Sequence, residues 1–483
     1  MNSKYEFSQD AIDNFMFIHA YWKNSCDGIN AAPENKWGYK RGDIPFIDYL
    51  CEDKSKYPKA SEGISYITNK PLYDPDDDFL LGNSGGILMN INFIVINIER
   101  LSRSADAFDE YGTYCDYDPS TPAYESFWQR ETSRRKKGVI IKAKLYYKDI
   151  PKFFDKATTD EERDLLLKPM RITGAHYTYL NYGRIERTPN AREREKLKRE
   201  GAEHVETVMG FPRYWDGDYW NFKIDEFIAN NKFHLTKAKA RRKGFSYKRG
   251  SQAANTINLF PNVTVTLAAD QLAYLTDKGA TTFMAKKCLD HFEEHTFWKR
   301  GYISEAIDDI LMGYRVSTKG LKNFGWLSNL YSVAIGKNES AAVGKKAIEI
   351  DFEEAGKCPN LQKALDVTLS NTESGAISVG TIRVYGTGGT KGANWAAFSK
   401  AFYNPKMNKM LCMENVWDIN KRHEVCGFFF PQVWDCEPYV ERGNSIIFTA
   451  YAWDKQDKEN HFHNNDSETH IIYKAQRANT PAE

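Results

Sequence analysis

One stretch, Lys237–Ser251 (KAKARRKGFSYKRGS), constrains the fold of this chain more than any other. It follows Phe233–Thr236, a short alternating run that reads as a strand. It leads into Phe245–Leu259, which has the length of a helix and stops before Pro261. Strand, basic glycine-containing turn and helix make up the layout of a phosphate-binding loop. The physical reason is that N–H groups at a helix N-terminus point at an anion, and the helix dipole favours negative charge there.

The usual form of such a loop is G-x-x-x-x-G-K-[ST]. The same frame here is Lys239-Ala240-Arg241-Arg242-Lys243-Gly244-Phe245-Ser246. Gly244 keeps the place where backbone must approach phosphate without a Cβ. Ser246 keeps the hydroxyl expected on Mg²⁺. Lys239 replaces the first glycine and Phe245 replaces the usual lysine. A lysine at the start of the loop can curl back to the β- and γ-phosphates, so the charge is moved rather than lost. The alternative for the loop alone is a solvated basic run that contains a glycine.

From Phe233 onward strand-like and helix-like runs alternate, the pattern of a parallel α/β sheet. Strands are expected at Val263–Ala269, Ser328–Ile335, Lys346–Phe352 and Ala376–Tyr385, with helices at Asp270–Trp298, Leu361–Ser370 and Trp395–Tyr403. Upstream, Ala11–Trp22 and Tyr124–Lys137 read as helices and Gly85–Arg100 as a strand. Arg171–Asn181 is aromatic and β-prone, and the charged Glu186–Glu206 reads as an exposed helix or linker. Phe211–Trp220 is an aromatic cluster assigned to core packing. The implied divisions are an N-terminal region over 1–120, a subdomain over 121–204, an ATPase core over 205–455 and a tail or linker over 456–483.

Two further pieces belong with the loop. Ile348–Gly356 (IEIDFEEAG) is a strand ending in paired acids. ATP hydrolysis needs one acid for Mg²⁺ and its water, and a second to orient the attacking water. Glu353 is assigned to the metal and Glu354 to the water, with Asp351 as the alternative metal acid one pleat deeper. The next strand runs into Gly386-Thr387-Gly388-Gly389, where a small hydroxyl-bearing turn can sense loss of the γ-phosphate. Arg242 is placed to contact phosphate in its own subunit or in a neighbour. The order of loop, acid strand and polar glycine turn is more specific than any one of them.

Composition sets outer bounds. The 483 residues are 41% hydrophobic, enough for sizeable cores, and 66 Lys and Arg nearly cancel 65 Asp and Glu. Any contact with nucleic acid must therefore come from a local patch. The eight cysteines form no CxxC pair, which excludes a zinc ribbon or a redox pair of that kind. No apolar run approaches the ~18 residues of a membrane-spanning helix, and no signal peptide opens the sequence, so a reducing cytoplasm is expected. One competing motif is present: His291-Phe292-Glu293-Glu294-His295 fits the inverted zinc-peptidase pattern, though no third ligand is identifiable.

Taken together, Arg241–Tyr247 (RRKGFSY), Glu353–Gly356 (EEAG) and Gly386–Gly389 (GTGG) resemble the large terminase subunit of tailed phages, most closely the crAss-like type. Ile172–Asn181 is similar to the segment that leads into that family's ATPase core. The resemblance implies a P-loop fold of the additional-strand, catalytic-glutamate type, with ATP and Mg²⁺ as cofactors. It implies duplex DNA, a portal protein and a small terminase subunit as partners, and a homo-oligomeric ring. The expected location is the host cytoplasm, transiently on the procapsid, with no membrane association. The family also carries a C-terminal nuclease, and Ala475–Glu483 resembles the segment that opens it, so this chain is expected to be the motor half. Competing readings are a helicase-like P-loop remodeller, a zinc peptidase built on His291 and His295, and a packaging component with an inactive loop.

Overall fold

The computed structural model describes residues 112–482, apart from 142–169 and stretches of one to five residues between 190 and 446. The helix expected at Ala11–Trp22, the strand at Gly85–Arg100, most of the 1–120 region, and Gly388 and Gly389 lie outside the described residues.

Nine of the helices among the described residues surround the sheet or the loop. They are α1 (Pro122–Lys137), α2 (Gly174–Tyr182), α3 (Asp216–Asn231), α4 (Phe245–Leu259), α5 (Thr281–His295), α6 (Leu361–Asn371), α7 (Ala393–Tyr403), α8 (Ile447–Asn464) and α9 (Ser467–Gln476). The central sheet holds β1 (Leu235–Lys239), β2 (Thr264–Ala269), β3 (Tyr302–Ala306), β4 (Asp309–Met312), β5 (Asn329–Ala334), β6 (Glu349–Phe352), β7 (Thr381–Thr387) and β8 (Phe428–Phe430). Its order is β8-β1-β7-β6-β2-β5-β4-β3. All neighbours from β8 to β5 are parallel, and β4 and β3 continue as an antiparallel edge. The protein is thus mixed α/β with a large, mostly parallel sheet.

Along β2, β6 and β7 apolar side chains recur at every second residue, while the alternate positions carry polar or charged groups such as Thr266, Asp351 and Arg383 that are buried too, because both faces of a parallel sheet are covered. Val265, Leu267, Ile350, Phe352, Ile382 and Val384 are all buried in this way. Strand order sets up the site. β7 lies between the loop strand β1 and the acid strand β6, so three motifs far apart in sequence end on adjacent strands.

Helix α4 packs against both α5 and α2. Gly250 allows the α5 contact: a Cβ there would lie 2.6 Å from Thr281 O and 2.9 Å from Ala285 N. This close approach brings the first turn of α5 beside the second turn of α4.

Several elements differ from the sequence reading. Arg171 and Ile172 do form a strand edge, but Gly174–Tyr182 is helical. Thr173 caps α2 by accepting from His176 N at 3.1 Å, and the aromatic face of the helix is buried against α1 and α4, which outweighs local β-propensity. The single helix expected over Asp270–Trp298 is instead a short turn at Ala273–Thr276 and α5, parted where Asp277 turns extended. Strand β7 runs two residues further than expected, because Gly386 and Thr387 pair with Ala238 and Lys239. The tail expected over 456–483 is helical: α8, which begins at Ile447, and α9 form a pair, and the residues after it pack on the core, where Gln432 N donates to Ala478 O at 2.9 Å. The charged Ala191–Arg199 helix is largely exposed, as its composition predicts.

Candidate functional site

The loop between β1 and α4 is held from one side by protein groups. Ala240 N donates to Phe430 O at 2.9 Å, and Arg241 N to Gln476 O at 2.7 Å. The Lys243 ammonium turns away from the loop mouth and donates to the carbonyls of Gln432 and Trp434, both at 2.6 Å. Burial drives its pKa down to about 8, against the opposing pull of Cys436 and Asp435.

The other side of the loop is open. The N–H groups of Arg242, Lys243, Gly244, Phe245 and Ser246 have no acceptor among the described residues. Arg242 and Gly244 have φ of 63° and 64°, left-handed values that turn successive N–H groups toward one concavity. Such a backbone nest at a helix N-terminus can receive an anion. Gly244 needs this φ more than it needs space, since its nearest neighbour to a Cβ would be Lys248 Cε at 3.8 Å.

Phe245, at the position of the usual loop lysine, is buried edge-on against Phe430, with ring centroids 5.3 Å apart. The ammonium groups of Lys237, Lys239 and Lys248 surround its ring at 5.8, 5.6 and 5.3 Å. A lysine there would be a fourth cation in the same buried volume, and an aromatic face relieves rather than adds to that charge. Lys239, the last residue of β1, instead extends its ammonium toward the acid turn, 3.7 Å from Glu354 Oε1.

The acids sit across the cleft from the loop. Ser246 Oγ donates to Glu353 Oε1 at 2.6 Å, and the Thr281 hydroxyl donates to the other carboxylate oxygen. Burial raises the Glu353 carboxyl to about 7 in spite of these two donors. Burial also acts to raise Glu354, but the charges of Lys239 and Lys357 outweigh it and hold that carboxyl below its ordinary value. Lys357 Nζ is 3.2 Å from Glu354 Oε2. Glu354 has φ 51°, so the chain turns sharply at the strand end and parts the two acids: one faces Ser246, the other Lys239. Asp351, the alternative metal acid, is fully buried and accepts from Arg249 Nε at 2.6 Å.

The third motif completes the cleft. Thr387 is the register partner of Lys239. Gly386 fits against the acid turn, where a Cβ would meet Ala355 N and Gly356 N at 3.0 Å each. The structure therefore brings Lys239, Gly244, Ser246, Glu353, Glu354 and Thr387 to one cleft. Arg241 lies beside it, its guanidinium bound to Gln476 Oε1 at 2.7 Å, and Arg242 is exposed at the loop tip. Sequence reasoning missed Thr281 and Lys357. Thr281 reaches Glu353 only through the α4–α5 contact at Gly250, whereas Lys357 follows the acid pair by three residues and was legible as a nearby cation.

A serine hydroxyl hydrogen-bonded to a carboxylate at a helix N-terminus is an oxygen donor set suited to Mg²⁺. The zinc motif does not assemble in the same way. His291 and His295 lie with ring centroids 4.9 Å apart and Glu294 Oε2 is 3.5 Å from His295 Nε2, but His291 is buried among Tyr182 and Phe211. Among the described residues, no three His, Cys, Asp or Glu side chains converge to hold a metal. No described helix is long and apolar enough to cross a membrane.

No protein-family model matches the chain, and no curated protein matches it. Among solved structures it is similar to the large terminase ATPase domain of Thermus phage P74-26, with 12% identity and a TM-score of 0.33 over 50% of this chain and 87% of that one. A point mutant of the same domain gives 12% and 0.33 over 62% and 99%. The large terminase of the thermophilic bacteriophage D6E gives 12% and 0.25 over 40% and 42%. Similarity at this level carries no argument about this chain, and the site rests on its own geometry.

Proposed function

We propose that this protein is a Mg²⁺-dependent ATPase that drives duplex DNA into a viral procapsid, the motor of a large terminase subunit. The observation that carries the ATPase part is the nest of five N–H groups from Arg242 to Ser246 that have no acceptor among the described residues, beside Glu353 and Glu354. Strand order supports the additional-strand, catalytic-glutamate class of P-loop fold, since β7 lies between the loop strand and the acid strand. The terminase part rests on the RRKGFSY, EEAG and GTGG motifs.

In this reading the β- and γ-phosphates lie in the nest and Lys239 neutralises them. Ser246 and Glu353 would hold Mg²⁺, which supplies charge stabilisation at the transferring phosphoryl group. Thr281 keeps Glu353 oriented. Lys239 now faces Glu354; a triphosphate that takes over Lys239 frees the Glu354 carboxylate to orient the attacking water. Glu354 suits that task because its lowered pKa keeps it ionised near neutral pH. Thr387, beside Lys239, registers the presence or loss of the γ-phosphate. Arg242 serves phosphate charge in its own subunit or in a neighbour within a homo-oligomeric ring.

DNA is gripped through backbone charge, so sequence preference is small. The portal protein and small terminase subunit are the partners of this reading, in the host cytoplasm and transiently on the procapsid. The test is Glu354→Gln: ATP binding is retained and turnover falls by about a hundredfold or more. Unchanged turnover removes Glu354 from this role. Portal binding separates a packaging motor from a helicase-like remodeller.

A further inference from the structure

Beneath the cleft lies a buried set of charges that the three motifs do not include. Lys237 of β1 pairs with Asp225 of α3 at 2.6 Å, and Gln252 of α4 donates to the same carboxylate at 2.9 Å. On the far side, Arg249 of α4 pairs with Glu349 and Asp351 of β6. Between them is Arg383 of β7. Its Nε is 3.3 Å from Asp225 Oδ1, and its Nη1 is 3.2 Å from Glu349 Oε2 and 3.5 Å from Asp351 Oδ1. The cations Lys237, Arg249 and Arg383 balance the anions Asp225, Glu349 and Asp351. The space left beside them is about 10 Å³, room for one water at most.

Apolar side chains of similar volume would generally be as stable or more so at such a place, because each buried ion costs several kcal/mol of desolvation. The position of the network suggests what it does instead. Arg383 is the register partner of Leu235 in the loop strand and of Asp351 in the acid strand. Its planar fork bonds to both sides at once. The same strand ends four residues later at Thr387, beside Lys239.

We propose that Arg383 is a positioning residue for hydrolysis, bridging the loop-strand half of this network to the acid-strand half and so holding Glu353 and Glu354 in register with the phosphate loop. This rests on the ATPase reading. The nest that binds phosphate is built from loop backbone and does not depend on Arg383; the alignment of the acids with the loop does. Loss of the bridge therefore separates binding from turnover.

The experiment uses the full chain and the variant Arg383→Lys, which keeps the charge but cannot reach both halves. Equilibrium binding of a fluorescent ATP analogue, steady-state ATP hydrolysis and thermal melting are measured together. Binding is expected to stay within about threefold of the parent while kcat falls by about tenfold or more. Glu349→Gln, which weakens only the acid-strand half, gives the same split to a smaller extent and serves if Arg383→Lys does not fold. An unchanged kcat overturns the inference, as does a parallel fall of affinity, kcat and melting temperature, which marks a purely structural role. If the parent protein neither binds nor hydrolyses ATP, the ATPase reading itself fails. If the parent hydrolyses ATP and the variants match it, only the role of Arg383 is lost.

Discussion

Lys239 and Phe245 exchange the places that charge and bulk usually take in a phosphate loop. Lys239→Ala removes the ammonium that lies beside the Phe245 ring and 3.7 Å from Glu354 Oε1. It is expected to weaken binding of ATP by about tenfold or more in a fluorescence titration, since a charge-assisted phosphate contact is worth about 1.5–3 kcal/mol. A second residue-scale prediction concerns His176. Its ring stacks on Tyr214 and Phe222, with centroids 5.3 and 4.8 Å away, and neither ring nitrogen has a hydrogen-bond partner among the described residues. Burial, aided by the charge of Lys248, lowers its pKa from 6.5 to about 3. The unfolded chain therefore takes up a proton below 6.5 that the folded chain refuses until about 3. Stability from this group is present above 6.5 and is lost as pH falls through that window, about 2 kcal/mol by pH 5. His176→Phe keeps the stacked ring without the titration. Its melting temperature should fall less than the parent's between pH 7 and pH 5, and equal slopes would contradict this.

At the scale of elements, the cleft depends on close backbone approaches. Gly386→Ala places a methyl 3.0 Å from the N–H groups of Ala355 and Gly356, in a turn that cannot retreat far because Glu353 N is bonded to Ala268 O of β2 at 2.8 Å. Overpacking of this kind costs about 1–3 kcal/mol. The displaced element is the acid turn, so hydrolysis should fall further than the melting temperature implies. A variant that loses stability and keeps full turnover would show that the acid turn tolerates the shift. The α4–α5 contact at Gly250 works in the same way, because it delivers the Thr281 hydroxyl to Glu353.

At the scale of the whole molecule, the loop between β1 and α4 is tied to the last described helix. Arg241 bonds to Gln476 through both its backbone N–H and its guanidinium, and Arg477 is anchored in turn by Asp454 of α8 at 2.9 Å. Ordering of the loop by nucleotide should therefore reach this helical pair. In hydrogen-exchange mass spectrometry, addition of a non-hydrolysable ATP analogue is expected to slow exchange over 241–246 and also over 474–479. Protection confined to the loop would mean that the pair does not respond. Gln476→Ala removes the guanidinium bond and keeps the backbone one, so the second region should respond more weakly while the first is unchanged.

Much of the site was legible in the sequence because its chemistry is local. A basic glycine-containing turn before a helix, two adjacent acids after an apolar strand and a Gly-Thr turn each carry their meaning within about ten residues. The alternation of strand and helix likewise disclosed the α/β class, since side-chain periodicity is a property of the segment itself. What only the tertiary structure decided depends on pairing at a distance. Strand order placed β7 between β1 and β6. Close packing at Gly250 brought Thr281 to Glu353. Burial turned Arg171–Asn181 from a β-prone stretch mostly into a helix and drew Lys243 away from the loop mouth. None of these follows from local propensity, because each was set by partners distant in sequence or by removal from water.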